Sequence, residues 1–526
     1  MNDRRRLGAS RRGVVASPHG LASQAGRRVL AEGGNAIEAA LAMGAVLAVT
    51  YPHFCGIGGD AVWMVADREG RRRAFLGIGQ AAATSAPAGS IPLRGPGSAL
   101  TSACAVDSWG HAFDYSARHW SGRRSFASLL DDGIGYAENG FPLTASQLFW
   151  LDFRAAELGD WPGFASRFDT RRSHRLEDSF VQTNLATTLR VIAEEGPRSF
   201  YDGALADRIA RGLGEVGSPL TAGDLSRTRT READPLALAY GDVTLLAPPP
   251  PTQGLSTLVI MAILQRIGAS GLEEGSADYY HLLVEAVKQA FLDRDYIADP
   301  DFVEQPVADW LSDSRLADKA RAIDRERALP WPHRFRTGDT VFFGAVDGEG
   351  RSASVLQSLY FDWGSGVVVG DTGILWQNRG AAFSADPASP NAITPGKRPF
   401  YTLNPGIALR SGHPHLVYGT QGADGQPQTL AAILTRILDH RMDPLTALSR
   451  PRFLLGRTFS DGRDTLKLEA DAGGQVFDEL RRRGHAISSL PVRSPLAGQA
   501  GAILVGADGL IAGAHDPRSD GQALGI

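Results

Sequence analysis

Thr340 follows Asp339 at the head of a run, TVFFGAVDGEGRSASVLQSLY, that ends at Tyr360. A threonine hydroxyl is a weak nucleophile until a base takes its proton. Cleavage between Asp339 and Thr340 would create that base, because the new α-amino group sits on the same residue as the hydroxyl. An N-terminal threonine served by its own amine is a known route to acyl transfer. A free α-amine, with a reference pKa of about 7.7–8.0, needs only a small downward shift to act as a base near neutrality. The stretch therefore points to a self-cleaving amide hydrolase. Read alone, it suits an ordinary hairpin that begins on a residue of high β-propensity better than a catalytic site.

The hairpin is what must position Thr340. Val341 to Val346 is apolar on both alternating faces, the pattern of a strand buried on both sides. Asp347-Gly348-Glu349-Gly350 is a turn signal. A hairpin centred near Glu349 puts Ser358 opposite Thr340, where a second hydroxyl can orient the first. Further strands are expected at 353–359, 367–376, 406–409 and 502–512, and earlier at Val62–Val65, Ala74–Gly77 and Val243–Leu246. Helical spacing of apolar residues predicts helices over Leu21–Leu30, Ala36–Val49, Leu255–Gln265 and Tyr279–Asp293, with Asn35 as an N-cap. Asp299 to Arg336 is rich in charge and proline, the composition of an exposed linker or flap leading into Thr340.

The 526 residues are 43% hydrophobic and 21% charged, enough for a large core. A net charge of −4 gives no electrostatic footprint for nucleic acid. The two cysteines, Cys55 and Cys104, can at most form one bridge and rule out a cysteine-based metal site. Arg4, Arg5, Arg6, Arg11 and Arg12 precede no apolar core, so the start does not read as a signal peptide. The longest apolar run, Ala36 to Val49, contains Glu38 and falls short of the roughly 20 residues that span a bilayer. These features lead to the expectation of a cytoplasmic protein with no membrane and no nucleic-acid partner. Gly56-Ile57-Gly58-Gly59-Asp60 lacks the spacing of a dinucleotide loop and reads as a turn. No G-x-S-x-G elbow occurs, which argues against an α/β-hydrolase. His53 with Cys55, and His413 with His415, lie on presumed turns and suggest neither a catalytic pair nor a metal site. Asp516-Pro517-Arg518 is expected to end a strand and tie the C-terminus down.

A series of motifs in order along nearly the whole chain resembles the γ-glutamyltranspeptidase family of N-terminal-nucleophile hydrolases. They include Val15-Ala16-Ser17-Pro18-His19, Gly33-Gly34-Asn35-Ala36, Gly56-Ile57-Gly58-Gly59, Leu220-Thr221-Ala222-Gly223-Asp224-Leu225 and Pro249-Pro250-Pro251-Thr252-Gln253-Gly254. Others are His281 with Glu285-Ala286 and Lys288, Asp299-Pro300-Asp301-Phe302, Gly364-Ser365-Gly366, Thr372-Gly373-Ile374-Leu375, Gln377-Asn378, Lys397-Arg398-Pro399 and Asp516-Pro517-Arg518-Ser519. The resemblance implies an α+β fold, the four-layer αββα sandwich, made as one precursor. It implies cleavage between Asp339 and Thr340 into a large subunit, 1–339, and a small one, 340–526, intertwined in one fold. It places Thr340 as nucleophile, Ser358 as supporting hydroxyl, and Gly422 and Ala423 as the pair whose N–H groups hold the oxyanion. Alanine in place of the second glycine keeps the donor but is costly if its φ is positive. No cofactor and no metal are implied. A homodimer of the processed heterodimer is one assembly consistent with the resemblance.

The substrate pocket departs from the family pattern. Ala382 stands where an aspartate binds the substrate's ammonium, and Tyr401-Thr402 stands where a Ser-Ser pair is usual. Tyr360 replaces an asparagine. No arginine lies between Arg73 and Arg94, where the family's early carboxylate-binding arginine belongs. Arg379 is new at a pocket position: it either clamps a carboxylate or turns to solvent or a local acid. Together with Gly422-Ala423-Asp424-Gly425-Gln426-Pro427-Gln428, these changes resemble the amidohydrolase branch of the family, typified by oxamate amidohydrolase. The expected substrate is a small amide bearing a carboxylate, such as oxamate. The alternatives are a glutathione hydrolase or transferase with a rebuilt pocket, and an unprocessed homologue without catalysis.

Overall fold

The computed structural model describes residues 7–85, 90–168, 174–331, 339–457 and 462–526. Two seven-stranded sheets, antiparallel throughout, form its centre. One runs in the order Gln522–Gly525, Gly13–Ser17, Asp339–Asp347, Ser352–Tyr360, Asp60–Ala66, Arg72–Gly77, Arg231–Ala233. The other runs Leu7–Ser10, Ile511–His515, Ala500–Val505, His413–Thr420, Gly406–Arg410, Val243–Ala247, Leu236–Tyr240. Strands from before and from after Thr340 contribute to both sheets.

Three cores define the layers. Val14, Val62, Phe342, Leu356, Ile407, Val417 and Ile503 meet between the sheets. Trp63, Phe343 and Val355 face the other way, onto helices that include Ala36–Thr50 and Ala105–His119. The second sheet's outer face, with Leu245, Ala408 and Leu416, is covered by Gly254–Arg266, Ala277–Phe291 and Gln426–Leu434. Helix, sheet, sheet and helix make the αββα sandwich. Phe342 and Phe343 bury opposite faces of the Asp339–Asp347 strand, as its doubly apolar pattern predicts. Phe342 lies over Gly419 and Gly501 of the facing sheet; a Cβ on Gly419 would fall 2.2 Å from its ring.

The helix Ala36–Thr50 is buried at every position and packs beneath this strand. Its capping box is complete: Asn35 accepts from Ile37 and Glu38 N–H, and Glu38 accepts from Asn35 N–H at 2.8 Å. Among the described residues no helix is long and apolar enough to cross a membrane.

Some expectations change. The 367–376 stretch is two short strands, Val368–Val369 and Ile374–Leu375, because Gly370 and Gly373 turn the chain at positive φ. Part of the segment from Asp299 onward is not an exposed flap. Val307–Trp310 and Asp313–Arg321 are helical and bury Trp310 and Leu316 in the outer core; residues 332–336 lie outside the described region. Arg4, Arg5 and Arg6 also lie outside it. Cys55 and Cys104 are both free and buried. His413 and His415 begin a strand rather than a turn. Arg518 is fully buried in ion pairs with Glu469 and Asp516, which fastens the C-terminal segment as expected.

Candidate active site

The hairpin pairs Val341 with Gln357 and Phe343 with Val355, the register expected from a turn near Glu349. It then slips. Asp339 pairs with Tyr360, so Ser358 and Leu359 together lie opposite Thr340 alone. A bulge of this kind re-aims a side chain beside an active site. Here the Thr340 hydroxyl donates to Ser358 Oγ at 3.3 Å. Ser358 Oγ also accepts from the N–H of Tyr360 at 2.8 Å. On the far side Ser358 is paired with Asp60. The Gly56–Gly59 turn permits that approach, since a Cβ on Gly59 would lie 2.2 Å from the Ser358 carbonyl oxygen.

The loop after the strand His413–Thr420 closes over Thr340. Gly422 has φ 125° and Ala423 φ 46°. The condition on which the alanine would be cheap, a negative φ, is therefore not met; a left-handed non-glycine residue costs about 1–2 kcal/mol. Gln253 holds it there: its Nε2 donates to the carbonyls of Ala423 (2.7 Å) and Thr402 (2.6 Å). Arg294 donates to Gln253 Oε1 and pairs with Asp424, all buried. Among the described residues no hydrogen bond takes the N–H of Gly422 or Ala423. Gln426, four residues beyond Gly422, donates Nε2 to Thr340 Oγ1 at 3.4 Å. Ala423→Gly is expected to leave turnover within about threefold and stability within about 1 kcal/mol. The relieved strain and the added unfolded-state entropy nearly cancel, and the N–H remains. Thermal melting and rate measurement check it.

Arg379 is buried, and among the described residues it forms no ion pair. It is fully buried between two rings, with its guanidinium carbon 3.9 Å from the Tyr360 centroid and 4.4 Å from that of Tyr401. Nη1 donates to Thr402 Oγ1 at 3.3 Å. Nε and Nη2, the other edge of the fork, have no acceptor among the described residues. Burial pushes the guanidinium pKa down, and Tyr401, Tyr360, Asp60 and Asp424 push back. Tyr360 itself has φ 82°, an outlier for a bulky residue and a mark of a functional site. Ala382 is buried against Tyr360 and Phe361, with no carboxylate in its place. Arg94, the first arginine after Arg73, is committed to Asp362.

Asp60 escaped the sequence reading. It is fully buried and accepts from Tyr401 Oη (2.7 Å) and from the N–H groups of Gly79 (2.9 Å) and Cys104 (3.0 Å). Burial raises its pKa to about 6, against the pull of Tyr401 and Arg379. Between about pH 4 and 6 the folded chain thus holds a proton that the unfolded chain has lost. Asp60 therefore contributes stability below that window and loses it as pH rises through 6. Relative to wild type, Asp60→Asn should gain stability between pH 4 and 7.5 by up to roughly 3 kcal/mol, about 1.4 per pKa unit. Paired denaturation curves at the two pH values check the sign.

His281, Glu285 and His485 are the one group among the described residues whose ligand-type atoms converge. Those atoms are already bonded: His281 Nδ1 to His485 Nε2 at 2.8 Å, and Glu285 to Lys288 Nζ at 2.7 Å. A lysine ammonium beside the carboxylate opposes a second cation there.

Contacts thus link Thr340 to Ser358, Ser358 to Tyr360, Tyr360 to Arg379, and Arg379 to Tyr401 and Thr402, while Gln253 ties Thr402 to Ala423 of the Gly422–Ala423 loop; Asp339 joins the cluster by its backbone. Gln253, Arg294, Asp424 and Gln426 belong with them. The gamma-glutamyltranspeptidase family model matches residues 22–526. The chain is 44% identical over 524 residues to the oxamate amidohydrolase proenzyme of Klebsiella pneumoniae, covering 98% of this chain and 99% of that one. It is 40% identical to the glutathione hydrolase-like YwrD proenzyme of Bacillus subtilis, covering 98% of each. A solved structure of cephalosporin acylase from Bacillus halodurans superposes with a TM-score of 0.89 at 31% identity, over 98% of this chain and 96% of that one. The chain belongs to the gamma-glutamyltranspeptidase family and is an amide-hydrolysing enzyme of the N-terminal-nucleophile class.

Proposed function

We propose that the chain is an autoprocessing amidohydrolase whose nucleophile is Thr340 and whose substrate is a small amide carrying a carboxylate, with oxamate as the type. The observation that carries the acyl half of this reading is the Arg379 edge: two parallel N–H donors, desolvated, on a guanidinium packed against Tyr360 and Tyr401, without an acceptor among the described residues. Such a fork matches a carboxylate bidentately. The resemblance to an oxamate amidohydrolase proenzyme supports it. Ala382 in an apolar cluster speaks against a site for a substrate ammonium, and so against the γ-glutamyl alternative.

Maturation and turnover use the same parts. Thr340 Oγ attacks the Asp339 carbonyl, the C–N bond breaks, and the chain is held as an ester until water frees it. That step leaves subunits 1–339 and 340–526 and a free amine on Thr340. In turnover the amine takes the Oγ proton as Oγ attacks the substrate carbonyl. The N–H groups of Gly422 and Ala423 take the oxyanion, an interaction worth about 10²–10³ in rate per donor in comparable sites. The ammonium then protonates the leaving nitrogen, and water cleaves the Thr340 ester. Ser358 fixes the Oγ direction throughout.

The test is ammonia or amine release from oxamate, other small amides, γ-glutamyl compounds and acylated β-lactams. Turnover of oxamate-like acids above the others supports the reading. Inert oxamate-like acids, with a γ-glutamyl anilide cleaved at ordinary rates, would replace it with the γ-glutamyl one.

A further inference from the structure

Around Thr340 the buried side chains leave both donors and an acceptor without partners among the described residues. The donors are Nε and Nη2 of Arg379; the acceptor is Oε1 of Gln426. A carboxylate satisfies the donors but not the acceptor, because neither a carboxylate nor the scissile carbonyl has a hydrogen to give. A buried carbonyl-type oxygen left unpaired costs about 1–3 kcal/mol, so a fully buried glutamine with one open end marks a place for a donor.

The orientation of Gln426 follows from its neighbours. Nε2 donates to Thr340 Oγ1, Thr340 Oγ1 donates to Ser358 Oγ, and Ser358 Oγ accepts again from Tyr360 N–H. The amino end therefore faces the nucleophile and Oε1 is the end left over. The two ends of a carboxamide are roughly 2.2 Å apart from standard bond lengths. Oε1 thus lies one small group away from the attacking oxygen. In a substrate under attack, the scissile nitrogen is bonded to the very carbon that Oγ reaches, and its N–H groups occupy that shell. Pro427 follows in the first turn of the helix Gln426–Leu434, which anchors the side chain on a rigid element.

Resting on the reading above, we propose that Gln426 recognises the leaving nitrogen: its Oε1 accepts an N–H of the scissile amide and holds it while the C–N bond breaks. The nitrogen departs as ammonia or amine after taking its proton from the Thr340 ammonium, and the acyl group stays on Oγ. Gln426 is then a selector of amides over esters of the same acid, because an ester's leaving oxygen has no hydrogen to offer and meets Oε1 with a lone pair.

Oxamate and the monomethyl ester of oxalic acid share an acyl group and differ in the leaving atom. Processed wild type, Gln426→Met and Gln426→Glu are compared on both. Methionine keeps the length without the acceptor; glutamate keeps an acceptor. Gln426→Met is expected to lose about 10–100-fold in kcat/KM on the amide and about threefold or less on the ester. Gln426→Glu is expected to hold the wild-type amide-to-ester ratio. Equal losses on amide and ester, or a methionine variant that stays uncut, would assign Gln426 to Thr340 itself and overturn the proposal. A wild type inert on both compounds would overturn the acyl-group reading alone. The same amide-to-ester comparison on the acid that it does cleave then decides Gln426 independently.

Discussion

Thr340→Ala should remain a single chain of 56.1 kDa on a denaturing gel and should release no ammonia from any amide. Wild type should divide into pieces of about two-thirds and one-third of that mass, as cleavage at residue 339 requires. Loss of a catalytic nucleophile typically costs about 10⁴–10⁶ in kcat, and here the same change also withholds the base, which cleavage creates. The fold should survive it. Thr340 sits in a strand whose hold comes from Phe342 and Phe343 in two separate cores, and the substitution removes only a hydroxyl and a methyl. Thr340→Ser keeps the hydroxyl and is expected to cut itself, more slowly. A Thr340→Ala chain that melts near the wild-type temperature but still divides would remove Thr340 from the chemistry.

Arg379→Gln is expected to lower kcat/KM on carboxylate-bearing amides by about 10²–10³, the cost of leaving a buried charge without its partner. On uncharged amides of similar size the change should be small, so the readout is the ratio between the two. Arg379→Lys should recover little, because a single ammonium neither stacks between Tyr360 and Tyr401 nor presents two parallel donors. Equal losses on charged and uncharged amides would make the residue a structural pillar of the stack. Product inhibition by oxalate, present in wild type and absent in Arg379→Gln, is a second readout that a purely structural role would not move.

The local devices were legible in the chain. The turn at Asp347–Gly350 predicts the Val341–Gln357 register, the doubly apolar run predicts a strand buried on both faces, and Asn35 ahead of an apolar run predicts a capped, buried helix. Each rests on neighbours in sequence, where periodicity and turn chemistry act directly. The bulge was not legible: the hairpin geometry placed Ser358 opposite Thr340 but not the extra residue that aims it. Nor was the burial of Arg379, because its stack joins residues 360, 379 and 401, which only the fold brings together. Arg379 carried two readings in sequence; its full burial removes the solvent-facing one, and its open Nε and Nη2 edge leaves the carboxylate clamp to be tested. Asp60 looked like the end of a glycine turn, and Gln426 stood out only as one position in the Gly422–Gln428 stretch, with no role assigned to it. A search for polar residues at the joints between predicted strands and loops could have raised them. Ala423 shows the limit most plainly, since composition cannot reveal that its φ is positive.

The central claim is that the chain makes its own catalytic N-terminus. Intact-mass measurement of purified wild-type protein, with N-terminal sequencing of the smaller piece, tests it most directly. The account predicts two species, 1–339 and 340–526, the smaller one beginning Thr-Val-Phe-Phe with a free amine. A stable, uncut chain that hydrolyses amides, or a smaller piece that begins at any other residue, would contradict it.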